Sequence, residues 1–222
     1  MSNVKRLGWC GALALGLLAT GAGAADAWET VEDGDVVIKV RPRADGVGKE
    51  IWAETDLEAS AYDIQTALID AGSFRLFMPY VKESRIVSTA EDGSRVAYAK
   101  LNPPVVNSRD YVLHVAEEKR VAEDGTGELL QRWKTVDGVV PVREGVVRLK
   151  HNEGSWQVTP RGENKAHVVY KFSVDPGGSV PGWLANMGQS DAVEDTLEAV
   201  EERAQKLGKE RKQKAKAAPA KP

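Results

Sequence analysis

The sequence predicts an α+β domain in which a strongly curved antiparallel sheet grips one long C-terminal helix. Three observations carry this. From Val36 to Val174 the chain reads mostly as strands separated by Gly-bearing turns. A segment from about Pro181 to Leu207 then places Trp183, Met187, Val193, Leu197, Val200, Ala204 and Leu207 at steps of three and four, apart from one gap of six that Ser190 divides. Such a helix would be about 40 Å long at 1.5 Å per residue, enough to cross a small sheet. Its start is marked by Asp175-Pro176-Gly177-Gly178, where Pro sets φ and Gly accepts the positive φ of a type II turn, and by Ser179 and Pro181. A helix spanning a curved sheet points to a hollow, ligand-holding domain; a solid core is the alternative.

The elements follow in order. Residues 1–24 read as a secretory signal, because Lys5 and Arg6 precede an apolar stretch from Leu7 to Ala19 and the small-residue site Ala22-Gly23-Ala24; a retained membrane anchor is the weaker alternative, since glycines interrupt the apolar run. Export, to a periplasm or out of the cell, is therefore expected, with cleavage near Ala24. The lone cysteine, Cys10, lies within that signal, so the mature chain is expected to hold together by its core alone. Val36 to Arg41 and Glu50 to Leu57 alternate as a hairpin around Asp45-Gly46 and Gly48. Ser60 to Asp70 reads helical, with Ala61, Ile64, Ala67 and Leu68 on one face, and an aromatic cluster follows from Phe74 to Tyr80. Strands are expected at Val81 to Thr89, Arg95 to Leu101, Asp110 to Arg120, Leu129 to Val136, Gly145 to Lys150, Ser155 to Thr159 and Ala166 to Val174.

Strand parity proposes an inner wall. Arg132 and Lys134 face water and turn Leu129, Gln131, Trp133 and Thr135 inward; Arg148 and Lys150 do the same for Val147, Leu149 and His151. Lys165, His167 and Lys171 likewise place Ala166, Val168, Tyr170 and Phe172 inside. The strands Arg95 to Leu101 and Asp110 to Arg120 stay ambiguous, since neither face is free of charge.

Acidic residues outnumber basic ones by 33 to 30, for a net charge of -3. The distribution matters more. From Lys206 onward the basic residues are Lys206, Lys209, Arg211, Lys212, Lys214, Lys216 and Lys221, against Glu210 alone. Gly208 is a plausible helix stop, so residues 208–222 are expected to form a disordered basic tail, suited to solubility or to a loose tether on anionic lipid. The acidic body speaks against nucleic acid as a partner. One domain, residues 25–207, is expected.

Three stretches resemble the START (steroidogenic acute regulatory related lipid transfer) family: Phe77-Met78-Pro79-Tyr80-Val81-Lys82-Glu83-Ser84, Pro103-Pro104-Val105-Val106-Asn107-Ser108-Arg109-Asp110-Tyr111-Val112, and Asp175-Pro176-Gly177-Gly178-Ser179-Val180-Pro181-Gly182-Trp183-Leu184. They stand in the family's order and spacing over about residues 28–205. The resemblance implies a helix-grip fold with a lipid tunnel, and non-catalytic binding or transfer of one sterol, phospholipid or fatty acid by a monomer that touches membranes transiently and needs no cofactor. It also implies a lid of Pro103, Pro104, Val105 and Val106 with Trp183 and Leu184. Cargo contacts are then expected from Val96, Tyr98, Tyr111, Leu113, Val115, Gln131, Trp133, Leu149, His151, Val168, Tyr170, Phe172 and Met187. Some steroid-carrying relatives hold an acid and a base in the tunnel at the positions that correspond to Val96 and Val115 here, which implies a more apolar interior, with Tyr98, Tyr111, Gln131, Tyr170 or His151 left to select a head group. Arg109 and Asp110 point to opposite faces of a strand and are read as structural.

Two other functions compete. An enzyme of the polyketide-cyclase type needs placed acids and bases, but His114, His151 and His167 lie on separate strands without metal-ligand spacing, and Gly188-Gln189-Ser190-Asp191 lacks the second glycine of a nucleophile elbow. A lipid-responsive interaction module is permitted by the tail without being indicated by it.

Overall fold

The computed structural model describes residues 27–46, 48–175, 177 and 189–217. The expectations for the signal, Pro181, Trp183, Leu184, Met187 and the residues after Ala217 lie outside these. Ten strands form one sheet: β1 (Glu29–Asp33), β2 (Val37–Pro42), β3 (Lys49–Leu57), β4 (Val81–Thr89), β5 (Arg95–Leu101), β6 (Arg109–Val121), β7 (Gly127–Thr135), β8 (Val147–Arg148), β9 (His151–Gly162) and β10 (Lys165–Asp175). Helix α1 (Ala61–Ile69) and a 3-10 helix (Ala71–Leu76) join β3 to β4, and α2 (Gln189–Ala217) closes the described chain. The sheet runs β1-β2-β3-β10-β9-β7-β6-β5-β4, all antiparallel, with short β8 lying parallel beside β6. Only β1 was not anticipated, because all five of its residues are exposed and leave no alternation to read.

Local chemistry accounts for the ends. Ser60 caps α1 by accepting the Asp63 N–H at 3.1 Å, as expected of a serine ahead of an apolar run. Gly46, Gly48, Gly138 and Gly177 all take positive φ, the conformation their turns require.

Cross-strand register separates the two faces. Ile38, Ala53, Tyr170, Trp156, Gln131 and Glu117 form one row, and Val40, Ile51, Phe172, Gly154, Trp133, Val115 and Arg95 the next. This face packs on the helices: Ile64 and Leu68 of α1 and Val193, Leu197, Val200 and Ala204 of α2 join Ile38, Ala53, Leu129, Val158 and Val168 in the main core. Four of the five described positions of the apolar stripe therefore grip the sheet, and the fifth, Leu207, is half-buried outside that cluster.

The expected helix stop at Gly208 does not occur. Helix α2 continues to Ala217, so residues 208–217 are ordered rather than tail. Gly208 has a different reason to be glycine. A Cβ there would stand 2.8 Å from Asp63 Oδ2, and Arg211 one turn later holds the same carboxylate through Nε at 3.1 Å and Nη2 at 2.9 Å. The glycine lets α2 approach α1, and the ion pair carries the helix past it.

Candidate functional site

Aromatic rings line the inner wall. Trp156 and Tyr170, cross-strand partners on β9 and β10, stack at 3.9 Å with planes 4° apart; Phe172 stacks on Tyr170 at 4.6 Å, and Trp133 leans toward Tyr170 at 6.0 Å. Gly154 makes this possible. It sits between Trp133 and Phe172 in the row, and a Cβ at this position would meet the Trp133 ring at 2.4 Å and the Lys171 carbonyl oxygen at 2.3 Å. The indole lies in the space the missing side chain leaves, and its Nε1–H donates to Asn152 Oδ1 at 2.9 Å. Tyr111 and Leu113 extend the wall on β6, where Ala97, Val115, Phe74 and Ala71 form a second apolar cluster.

Burial in this wall pushes the Tyr111 phenol up to about 12, and raises Tyr170 as well, with Tyr111 adding to the effect. Yet Tyr111, Trp133, Tyr170 and Phe172 all retain accessible surface. By contrast Leu113, Val115, Gln131, Leu149 and Val168 are closed off, and Val168 belongs to the solid part of the core against α2.

Three expected contact residues stand elsewhere. Val96 and Tyr98 pair with His114 and Val112, which puts them on the outer face. There Tyr98, only 1% exposed, packs with Val112 and Val140, while Arg85 and Arg143 lie over its ring at 4.1 and 5.4 Å. The reason is a second layer: the connection from Val136 to Val146 folds over the outside of β5 and β6, so both faces of these strands are covered. Asp110 and Arg148 anchor it through bonds of 2.7 and 3.0 Å, and Arg148 also donates to the Val140 carbonyl at 2.9 Å. The structural reading of Asp110 is the one observed. His151 is the third. The chain leaves the ladder at Leu149 and Lys150, which resets the alternation, and His151 pairs with Asp175 and bonds Ser173 on the outer face.

The interior is also less apolar than Val96 and Val115 suggested. Arg95 and Glu117 form a buried ion pair on the inner face, with Gln131 donating to the same carboxylate at 2.8 Å and to the Leu68 carbonyl at 3.5 Å. Burial works to raise Glu117, but Arg95 and Gln131 outweigh it and hold the carboxyl below its usual value. This group seals the wall against α1, and Gln131 is engaged there.

At the start of β6 the loop Asn102 to Ser108 is closed at its base, where Ser108 Oγ donates to Asn102 Oδ1 at 2.9 Å and the Asn102 N–H to the Tyr80 carbonyl at 2.9 Å. Val105 tips it with φ 57° and 84% exposure. A β-branched residue in the left-handed region is a strained one. A groove of about 740 Å3 is lined by Arg41, Glu50, Glu118, Arg132, Lys134, Glu153 and Lys171 of the outer face together with Trp133, Gly154 and Phe172, and its charged residues make it a polar surface. Among the described residues no cluster of His, Cys, Asp and Glu could hold a metal ion, and no helix is long and apolar enough to cross a membrane. Trp156 and Asn152 are wall residues the expected set omitted. The outward Gln157 and Glu153 signalled both.

The family model described as polyketide cyclase / dehydrase and lipid transport matches residues 57–201. A STAR-related lipid transfer protein fragment from Xanthomonas axonopodis superposes with a TM-score of 0.69 at 29% identity, covering 81% of this chain and 99% of that one. Human STARD10 superposes with a TM-score of 0.72 at 16% identity, over 87% and 80% of the two chains, a likeness of fold. The phosphatidylcholine transfer protein of Rattus norvegicus is 28% identical over 116 residues, 51% of this chain and 53% of that protein. An uncharacterized Pseudomonas aeruginosa protein is 28% identical over 82% of this chain and 89% of its own length.

Proposed function

The chain belongs to the polyketide cyclase / dehydrase and lipid transport family and has the START helix-grip fold, and on that premise we propose that it carries one hydrophobic lipid between the inner wall and α2, without chemical change. One observation carries the reading: Tyr111, Trp133, Tyr170 and Phe172 stand together on the helix-facing wall and are only partly buried there. Stacked rings left partly uncovered on that wall suit an apolar guest. The names of the Xanthomonas and rat relatives support a lipid as that guest.

The energetics favour a carrier. Burying a methylene from water is worth about 0.8 kcal/mol, so a sixteen-carbon chain gains on the order of 12 kcal/mol before ordering costs. A lipid drawn from a bilayer only exchanges one apolar medium for another, so that gain nearly cancels. The protein equilibrates lipid between surfaces, and direction comes from an external sink. The barrier is opening the lid, Pro103 to Val106 with Trp183 and Leu184, and exposed Val105, Tyr80 and Val142 offer an apolar edge to a membrane. We place the protein outside the cytoplasm as a monomer, in accord with its N-terminal signal pattern.

Native mass spectrometry of the purified protein, followed by lipid extraction, tests this. One lipid bound per chain is expected, together with transfer of labelled lipid between vesicles. A ligand-free protein that neither takes up nor transfers lipid overturns the reading. Turnover of a polyketide substrate would replace it with catalysis.

A further inference from the structure

We propose that the last three turns of α2 are a docking site for an anionic lipid surface, placed at the opposite pole of the molecule from the lid. The idea rests on the reading that the protein meets membranes, but on none of the residues that face the cargo. It begins from the sign of charge along one helix face. At 100° per residue, Asp191, Asp195, Glu198 and Glu202 share an arc with Lys206, Lys209, Lys212 and Lys216, on the side opposite the buried Val193, Leu197, Val200 and Ala204. The face is acidic for its first half and basic for its second. Lys206, Lys209 and Lys216 are exposed and have no carboxylate within ion-pair distance among the described residues; Lys212 reaches Glu163 at 3.4 Å.

The site is held rigidly. Arg211, on the buried side of the same turns, is clamped to Asp63, and Asp63 is bound in turn by Ser60 at 2.6 Å. The lysines are therefore presented on an ordered helix whose last turn stands clear of the body, since Lys212 to Ala217 are all exposed.

Strand β6 measures the separation. It starts at the lid with Arg109 and ends at Val121, whose N–H and carbonyl are both bound by Gln65 of α1, two residues from Asp63. Thirteen residues of strand at 3.3 Å per residue span about 40 Å. The Debye length at physiological salt is about 8 Å, so the acidic half of the helix does not cancel the basic half at the surface it meets. An anionic bilayer would attract the basic pole and repel the acidic stretch nearer the lid. The lid is then left facing away, free to meet a second membrane, and the protein becomes a bridge between two surfaces rather than a carrier that lies on one.

The test uses the full chain and its variant Lys206→Gln, Lys209→Gln, Lys216→Gln, with co-sedimentation on phosphatidylcholine vesicles with and without phosphatidylglycerol. The parent should bind only the anionic vesicles and release them in high salt. Each substitution should weaken binding about 5-fold, about 100-fold together. Transfer of labelled lipid between purely zwitterionic vesicles should be unchanged by the variant. Equal binding of parent and variant, or salt-independent binding, overturns the docking site, and binding of duplex DNA as strong as that of the anionic vesicles reassigns the stripe to nucleic acid. A protein that docks as described but transfers nothing between zwitterionic vesicles leaves the site standing and removes the cargo reading instead.

Discussion

Gly154 fixes the shape of the inner wall at the residue scale. A methyl group there would collide with a backbone carbonyl as well as with the Trp133 ring, and the carbonyl cannot move without breaking the β9 and β10 ladder. Gly154→Ala should therefore cost about 2 kcal/mol or more, the magnitude of an overpacked core, read as a lower urea midpoint with unchanged slope. Glu117 fixes the pH response of the sealed end. Its folded pKa lies below the ordinary 4.5 because Arg95 and Gln131 outweigh burial. The unfolded chain then binds the extra proton first, so the stabilisation is complete above about pH 4.5 and is lost as pH falls through the lower folded value. Glu117→Gln should lower stability at neutral pH by about 3 kcal/mol, since it leaves buried Arg95 without its charge partner, and should flatten the acid limb of a stability profile measured from pH 3 to 7 on the order of that window. A variant with an unaltered acid limb would contradict the assignment.

At the scale of elements, α2 shows how a glycine can sit in a helix for a reason other than ending it. Replacing a helical glycine by alanine ordinarily stabilises by about 1 kcal/mol. Gly208→Ala should instead destabilise, because Ser60 and Arg211 hold the Asp63 carboxylate where the new methyl must go. In an Asp63→Ala background the sign should reverse, and thermal unfolding of the four proteins of this cycle measures the coupling. The loop from Asn102 to Ser108, proposed as a lid, is the second element with a testable cost. Val105 holds φ 57° at a solvent-exposed tip, so Val105→Gly should relieve about 1 kcal/mol of strain and raise stability. If the exposed isopropyl group serves membrane contact, the same change should slow lipid transfer; faster transfer would show that the lid strain, not its apolar tip, limits exchange.

The whole molecule is organised as two poles joined by a long sheet. One end carries the loop from Asn102 to Ser108 with exposed Tyr80, Val105 and Val142; the other carries the α1 cap, the Asp63–Arg211 pair and the lysine stripe. Cargo binding belongs to this scale, because the wall is assembled from β6, β7, β9 and β10 together. Tyr111→Arg places a charge where desolvation keeps a phenol neutral, and should abolish lipid retention in native mass spectrometry. Circular dichroism separates loss of cargo from loss of fold. Full retention by a folded variant would show that Tyr111 does not face the guest.

The sequence by itself determined the antiparallel sheet, the helix that grips it and most of the inner wall. Those are local properties: alternation places Trp133, Tyr170 and Phe172 on one face of their own strands, and the stripe from Val193 to Ala204 is periodic wherever it docks. What needed the tertiary structure was every position whose neighbour comes from elsewhere in the chain. Val96 and Tyr98 face outward and the segment from Val136 to Val146 covers them, while charged Arg95 and Glu117 lie on the inner face, so charge could not tell the two faces of β5 and β6 apart. His151 changed sides because two residues left the ladder before it. Gly208 lies inside its helix because a carboxylate 145 positions earlier needs the room. Periodicity records which side of an element a residue is on; only packing decides what waits on that side.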